Sequence, residues 1–211
     1  MRRLVAPLLS ACALAACSDE VFKVPVEGSQ QAGASDAWVT VVEFADFQCP
    51  YCARAAATME EVCLSYPEAD LRVVFKHLPL WFHERAMSAA LAAQCAGEQG
   101  LFWPMHDLLY ADPTRLEDED LQAAAQRLGL DLDRWSACLG SGEALDGIER
   151  DVALAEELGI EATPTFFVNG YPIVGAQPLE TFRELIDREL EKARQSGIGR
   201  ERYYEQVVLG R

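Results

Sequence analysis

The sequence predicts one α/β domain, in which a βαβ unit and a ββα unit build one sheet and an α-helical insertion separates them. Apolar and β-branched residues dominate 38–44 and 71–76, as they do in buried strands. A helix is predicted between them, beginning after Cys49. Asn169-Gly170 lies between two further apolar runs and predicts a hairpin turn. A chain of 211 residues has room for one such domain and its insertion.

Each of the other elements has a signal of its own. Pro50 stands at the first position of the first helix, where its missing N–H removes no hydrogen bond. From about 80 to 159, apolar residues recur at spacings of three and four, which predicts several packed helices. Strands are predicted over 165–168 and 171–174, and Pro178 begins a last amphipathic helix.

The composition excludes several classes of protein. Half of the residues are hydrophobic and a quarter are charged, which indicates a packed core and excludes a disordered or fibrous chain. The formal net charge is −16, from 34 acidic and 18 basic residues. Such a surface repels phosphate backbones, so we expect no nucleic-acid partner.

The N-terminus predicts export. Two arginines precede an apolar stretch over 4–16, which is too short to cross a bilayer core of about 30 Å but suits a cleaved signal. Its end, Leu14-Ala15-Ala16-Cys17, resembles the lipobox of bacterial lipoproteins. We therefore expect a signal peptide over 1–16, acylation of Cys17 and a tether over 17–36. An ordinary secretory signal is the alternative, and both interpretations place the protein where disulfides persist.

The motif Cys49-Pro50-Tyr51-Cys52 carries the predicted chemistry. Two cysteines three residues apart in the first turn of a helix lie about 5–6 Å apart, within the range of a disulfide. The unpaired N–H groups of the helix N-terminus favour a thiolate at Cys49. Thiol pKa values at such sites fall to about 3.5–7.5, a range for which thioredoxin and DsbA are themselves among the reference examples.

Three features together resemble the DsbA-like branch of the thioredoxin superfamily. They are the CPYC motif at a strand-to-helix turn, Glu43 six residues before Cys49, and Thr163-Pro164 before the third predicted strand. The resemblance covers 37–194 and leaves 195–211 as a C-terminal extension. It implies a thioredoxin fold with a helical insertion at about 80–159.

The resemblance also implies a role for each matching residue. Cys49 is expected to be the nucleophile, Cys52 the resolving thiol and Glu43 the group that handles the proton. The residues expected to bind the substrate are Thr163, Pro164, Pro50 and Tyr51. The implied substrates are exported proteins, and the implied partner is a membrane redox protein that resets the cysteine pair. No cofactor is implied, and we expect a monomer on the periplasmic side of the cell envelope, held to the membrane only by its lipid.

Two of these matches have a competing interpretation. Glu43 lies in an apolar strand, where burial should raise its pKa, but a strand-edge glutamate could instead face solvent. Pro164 is expected in the cis form, which X–Pro bonds reach at a cost of order 1 kcal/mol, although a trans proline could also begin an edge strand.

Metal binding is the competing chemistry for a CxxC pair. A closed zinc site needs four ligands, and the sequence offers neither a second CxxC nor a spaced histidine pair among His77, His83 and His106. We therefore predict no metal site.

The remaining cysteines and the aromatic residues are expected to be structural. We predict a disulfide between Cys95 and Cys138, with two buried free thiols as the alternative. Cys63 lies about 16 Å along the helix from Cys52, too far to bridge, and is expected to be buried. The aromatic residues near the start of the insertion are expected either in the core or in an apolar groove that receives unfolded chains: Trp81, Phe82, Phe102 and Trp103.

The function that the sequence favours is a thiol–disulfide oxidoreductase of the cell envelope acting as an oxidase. A lowered pKa of Cys49 stabilises the reduced form and favours an oxidant, whereas Tyr51 brings no positive charge, so an intermediate potential is expected. The alternatives are a reductase for specific exported clients and a non-enzymatic thioredoxin-like scaffold.

Overall fold

The computed structural model describes residues 21–211, so the expected signal peptide and Cys17 lie outside the described residues. It confirms the α/β class with a five-stranded sheet in the order β1-β3-β2-β4-β5. The strands are β1 (Gln30–Ala32), β2 (Val39–Ala45), β3 (Leu71–His77), β4 (Thr165–Val168) and β5 (Tyr171–Val174). The helices on the faces of the sheet and in the insertion are α1 (Pro50–Ser65), α2 (Ala86–Gly97), α3 (Phe102–Ala111), α4 (Asp118–Arg127), α5 (Leu132–Leu139), α6 (Gly142–Glu157) and α7 (Leu179–Gln195).

β2 is the central strand, and its position explains its sequence. It pairs in parallel with β3 and antiparallel with β4, and all seven of its residues are buried. Alternate residues face opposite sides of the sheet. Val39 and Val41 pack with Met59 of α1 and Phe182 of α7, whereas Phe44 points to the other face. A strand covered on both faces therefore carries apolar residues at nearly every position.

The helices α2 to α6 follow β3 and precede β4 along the chain, and their core is continuous with Phe75 of β3 and Cys52 of α1. A disulfide joins Cys95 of α2 to Cys138 of α5, with a Cα–Cα distance of 5.7 Å. Beside it, the Trp135 indole N–H donates to the Ala92 carbonyl at 3.1 Å. The small residues of α2 allow its neighbours to approach closely, because Ala89, Ala92 and most of the other alanines of this helix are buried.

A buried ion pair fastens this helical segment to the sheet. Lys76 of β3 lies 2.9 Å from the carboxylate of Asp151 on α6, and the side chains are 6% and 11% exposed. The second Asp151 oxygen accepts the backbone N–H of His77 at 3.0 Å. The carboxylate is thus satisfied on both oxygens, which a buried charge requires.

The segment before β2 differs from the expected tether. From Val21 onward it packs on the domain, since Val24 is fully buried and the Phe22 N–H donates to Gly170 O at 2.9 Å. The edge of the sheet in this segment is formed by β1, which is antiparallel to β3. Gln30–Ala32 is a polar strand of three residues, too short to produce an alternating pattern.

The C-terminal extension packs against this N-terminal segment. It contains α8 (Arg200–Tyr203) and a π-helix over Tyr204–Leu209. The Tyr204 hydroxyl donates to Val24 O at 2.8 Å, and the Arg72 guanidinium lies over its ring at 5.1 Å. Within residues 21–211, no helix combines the length and the apolar character needed to span a bilayer.

The expectation that Cys63 is buried was wrong. Its neighbours Val62 and Met59 are buried, but Cys63 itself is exposed near the end of α1. The buried stripe of α1 runs through Cys52, Ala55, Met59 and Val62, so Cys63 lies beside this stripe and not on it.

Loss of the Cys95–Cys138 disulfide should destabilise the helical segment. The bond closes a span of 43 residues, and the chain-entropy argument gives a loss of about 4 kcal/mol in the free energy of unfolding for the double variant C95A/C138A. Urea unfolding measures the difference. The matched control is C63A, since removing an exposed thiol should leave the midpoint unchanged. Equal midpoints for C95A/C138A and the wild type would contradict this prediction.

Candidate active site

The turn after β2 brings the CPYC motif to the start of α1. The strand ends at Ala45, the Cys49 N–H donates to Asp46 O at 3.1 Å, and Cys49 becomes the N-cap with Pro50 as the first helical residue. The Ala53 N–H then donates to Cys49 O at 3.1 Å, which begins the helical hydrogen-bond pattern. The first thiol is therefore held where the N–H groups of the helix are unpaired.

The surroundings of Cys49 favour its thiolate. A hydrogen bond with the Cys52 thiol is the largest influence and lowers the pKa of Cys49 to about 5. Thr163 and the backbone amides of Tyr51 and Cys52 act in the same direction, against the burial of the side chain. A sulfur that accepts several hydrogen bonds is stabilised as the anion, so Cys49 is ionised at neutral pH.

The surroundings of Cys52 favour its neutral thiol. The side chain is fully buried, and this burial, with the nearby Cys49 sulfur, raises the pKa of Cys52. The Asp46 N–H contacts its sulfur at 3.5 Å and acts weakly in the opposite direction. Two thiols three residues apart thus have opposite protonation states at the same pH.

Glu43 lies in the sheet on the side that faces α1. It pairs in register with Phe75 of β3 and Phe166 of β4, and it is 1% exposed, so the solvent-facing alternative is wrong. Its Oε1 atom has no hydrogen-bond partner within residues 21–211. Burial without a cation raises the pKa of Glu43 to about 8, and its charge in turn raises the pKa of Cys52.

Thr163 and Pro164 lie beside the first cysteine. Thr163 O is 3.6 Å from Cys49 Sγ, and the Thr163–Pro164 peptide bond is cis. Pro164 directly precedes β4 and its carbonyl accepts the Gly175 N–H at 2.8 Å. The structure therefore brings together the two cysteines and Thr163, with Glu43 deeper under α1.

Sequence reasoning missed Asp46 and its partners. The Asp46 carboxylate is buried and accepts hydrogen bonds from the Gln48 N–H at 2.7 Å, the Leu80 N–H at 2.8 Å and His83 Nδ1 at 2.7 Å. The contact with Gln48, two residues on, is an Asx turn, and an aspartate before the motif is its one local signal. The bonds to Leu80 and His83 join segments over thirty residues apart, which a local pattern cannot show.

The loop between β3 and α2, which is bonded to Asp46 through Leu80 and His83, exposes part of the aromatic cluster. Trp81 is 93% exposed and Phe82 is 56% exposed, as is Tyr51 in the first turn of α1. Phe102 is buried in the core of the helical segment, and Trp103 packs partly against it. The cluster is thus divided: Phe102 and part of Trp103 belong to the core, whereas Trp81 and Phe82 lie on the surface.

The three histidines have different environments. His77 and His106 are buried in the aromatic core, and His83 pairs with Asp46. Across residues 21–211, no group of three or more His, Cys, Asp or Glu side chains is arranged to hold a metal ion. The chemistry that the site offers is that of its two sulfurs and one buried carboxyl.

Alkylation should distinguish the cysteines by pH. The rate of Cys49 modification by iodoacetamide should rise through a midpoint at about pH 5, because the thiolate is the reacting form. Cys63 is the internal control, since desolvation and the nearby Glu43 and Glu60 raise its pKa to about 11. Mass spectrometry of the two peptides reads both rates in one sample. A Cys49 midpoint above about pH 8, near that of a free thiol, would contradict the geometry.

Glu43 should make stability depend on pH in a predictable direction. Its pKa is about 8 in the folded state against 4.5 for a free carboxyl, so the folded state binds more protons between these values. The free energy of unfolding should therefore fall as pH rises from 4.5 to 8, by at most about 1.4 kcal/mol per pH unit.

The variant E43Q carries no titrating group at this position and should lack that slope. Urea unfolding at pH 5 and pH 8 compares the two proteins. Parallel dependence on pH in both would show that Glu43 ionises normally in the fold.

Comparison with known proteins places this site in a family. The family model described as Thioredoxin matches residues 26–188. The Na(+)/H(+) antiporter NhaA 3 of Salinispora tropica is 40% identical over 195 residues, which cover 90% of this chain and 30% of that protein. The chain thus spans less than a third of the length of the curated relatives it matches.

Two solved structures share the fold. A thioredoxin-like oxidoreductase from Silicibacter pomeroyi superposes with a TM-score of 0.71 at 28% identity, over 77% of this chain and 92% of that one. The α-DsbA1 protein of Wolbachia pipientis superposes with a TM-score of 0.71 at 23% identity, over 82% of this chain and 96% of that one. The chain therefore belongs to the thioredoxin family.

Proposed function

We propose that the protein exchanges disulfides with exported proteins, with Cys49 as the nucleophile and Cys52 as the resolving thiol. The observation that carries this proposal is the opposite protonation of the two thiols. The hydrogen bond with the Cys52 thiol and the backbone amides at the start of α1 lower the pKa of Cys49, whereas burial raises the pKa of Cys52. A nucleophile that is ionised while its neighbour remains protonated is what thiol–disulfide exchange requires.

In the oxidising direction a client thiolate attacks Cys49 Sγ of the Cys49–Cys52 disulfide. The bond between the client sulfur and Cys49 forms, and the Cys49–Cys52 bond breaks. Cys52 leaves with the electron pair and takes a proton. A second client thiolate then attacks the client sulfur and displaces Cys49 as a thiolate. The client is oxidised by two electrons and the cysteine pair is reduced.

Glu43 supplies that proton in this proposal. It is buried on the α1 side of the sheet, close enough for its charge to raise the pKa of Cys52. With its pKa at about 8, the carboxyl is mostly protonated at neutral pH and can donate to Cys52 as it leaves. In the reverse direction the carboxylate accepts the proton of Cys52 when Cys52 attacks a mixed disulfide.

The client would approach over Thr163 and the exposed aromatic residues. Thr163 O lies beside the reacting sulfur, and Pro50 and Tyr51 form the other side of the turn. Trp81 and Phe82 extend this side with exposed apolar surface, on a loop held to the motif by Asp46. Exposed aromatic side chains of this size are typical of protein-binding surfaces.

The favoured direction is oxidation. The lowered pKa of Cys49 stabilises the reduced pair, which makes the disulfide form a stronger oxidant. We further propose that the protein acts as a monomer on the periplasmic side of the envelope, held by a lipid on Cys17 and reset by a membrane redox partner. The similarity to part of a Na(+)/H(+) antiporter supports the proposal that this protein acts close to a membrane.

A variant that cannot resolve the mixed disulfide should trap clients. In C52S, Cys49 keeps its position at the N-cap but Cys52 can no longer attack the mixed disulfide. Disulfide-linked adducts should therefore accumulate on Cys49 with every client that offers no second thiol in reach. Non-reducing gels and mass spectrometry of material from the envelope detect them. C49S is the matched control and should trap none. Recovery of no adduct on C52S would overturn the proposed function and favour a scaffold.

The equilibrium of the cysteine pair with glutathione determines the direction of electron flow. We expect a potential between about −120 and −270 mV, the values of strongly oxidising DsbA and reducing thioredoxin, because Tyr51 adds no positive charge. Oxidative refolding of reduced ribonuclease should then proceed faster than reduction of insulin. The opposite order would identify a reductase.

A further inference from the structure

A cavity under α1 reaches the unpaired carboxyl of Glu43. Its volume is about 510 Å³, and it is enclosed by α1, α3 and the edge of the sheet. Glu43 lines its inner end. Glu60 and Cys63 of α1 and Asp107 of α3 are exposed and line the same cavity, so its outer end meets solvent.

Three buried polar atoms on this cavity have no partner in the described part of the chain. They are Glu43 Oε1, His106 Nε2 and Tyr110 Oη, and each residue is less than a tenth exposed. A buried polar group without a partner costs about 1–3 kcal/mol. Three such groups around one cavity indicate that something within the cavity bonds to them.

The exposed Asp107 carboxylate orients the His106 ring. Its Nδ1 lies 2.8 Å from the Asp107 carboxylate, and a carboxylate can only accept a hydrogen bond, so Nδ1 carries the proton. Nε2 is then the ring nitrogen left without a partner on the inner side. Tyr110 follows one turn later on α3, and the two rings meet edge to face at 4.8 Å.

The ligand that fits these atoms is water. A cavity holds water when it is polar and offers two to four partners, and about 30 Å³ per molecule leaves ample room here. We propose that this cavity holds the water through which Glu43 exchanges its proton with solvent, and that His106 and Tyr110 are positioning residues for that water. The inference rests on the role proposed above for Glu43.

Every element packed around Glu43 contributes side chains that face it. α1 presents Cys52, Cys63 and Glu60, and α3 presents Asp107 beside His106 and Tyr110. The neighbouring strands present Val73, Phe75 and Phe166, and α7 packs the same face of the sheet with Phe182. Within residues 21–211 no lysine or arginine lines the cavity, so water held by α3 is the means of stabilising the Glu43 carboxylate.

The test measures the step in which Cys52 loses its proton. Glutathione is placed on Cys49 as a mixed disulfide, and its release is followed by acid quenching and mass spectrometry. In that step the Cys52–Cys49 bond forms, the bond from Cys49 to glutathione breaks, glutathione leaves as a thiolate, and the Cys52 proton goes to Glu43. Release is recorded across the pH range on both sides of the Glu43 pKa of about 8, for the wild type and each variant.

Tyr110→Phe and His106→Leu remove the positioning groups. Each should slow release at neutral pH about three- to tenfold and move the midpoint of the pH profile upward, because a carboxylate with fewer hydrogen bonds is harder to form. His106→Gln keeps a hydrogen-bonding group and should restore most of the rate. Tyr66→Phe, which removes a hydroxyl bonded to Asp187 on the surface, is the matched control and should change nothing.

A cavity-filling variant and an NMR titration distinguish loss of the water from loss of the fold. Ala56→Leu fills the cavity without removing a polar atom and should act in the same direction as Tyr110→Phe. Titration of the Glu43 carboxyl carbon by NMR, assigned with Glu43→Gln, should show the same upward shift of the Glu43 midpoint when no glutathione is being released.

The outcomes separate the two proposals. If Glu43→Gln slows release but Tyr110→Phe, His106→Leu and Ala56→Leu leave both the rate and the carboxyl titration unchanged, the water route is wrong and the proposed function stands. If Glu43→Gln itself leaves release unchanged, the proton role of Glu43 fails.

Discussion

Opposite electrostatic surroundings for two sulfur atoms three residues apart are the constraint on which the rest of the site depends. Cys49 stands at the N-cap, where the amides of Tyr51 and Cys52 reach its sulfur. Cys52 lies one turn inside and is fully buried. Both environments require a strand that ends directly beneath the start of a helix. The buried β2, followed by a short turn, provides that geometry.

Asp46 connects this asymmetry to the surface of the protein. Its carboxylate is buried and is satisfied by N–H groups from its own turn and from the loop of Leu80 and His83. A buried carboxylate is tolerated only while such donors remain in place. A shift of the loop that exposes Trp81 would therefore leave the Oδ2 atom of Asp46 without its partners. The exposed Trp81 and Phe82 are thus on a loop that is bonded to the turn preceding Cys49.

The sequence predicted the elements whose signals are local. β2, α1 and the hairpin around Asn169-Gly170 were predicted to within a residue or two, because buried strands, an N-terminal proline and Asn-Gly turns each have a direct physical cause. The family resemblance singled out the cysteine pair and Glu43. Asp46 and His83 were missed because their contact joins distant segments. Burial of Cys63 was wrongly expected because the buried stripe of α1 runs through Met59 and Val62 and passes beside it.

The described chain begins at the end of the sheet opposite the cysteine turn. Phe22 bonds to Gly170, in the turn after β4, whereas Pro164 and Cys49 lie at the other end of β4 and β2. The seven residues of β2 separate these ends by about 20 Å. The first described residues and the nucleophilic sulfur therefore lie at opposite ends of the sheet.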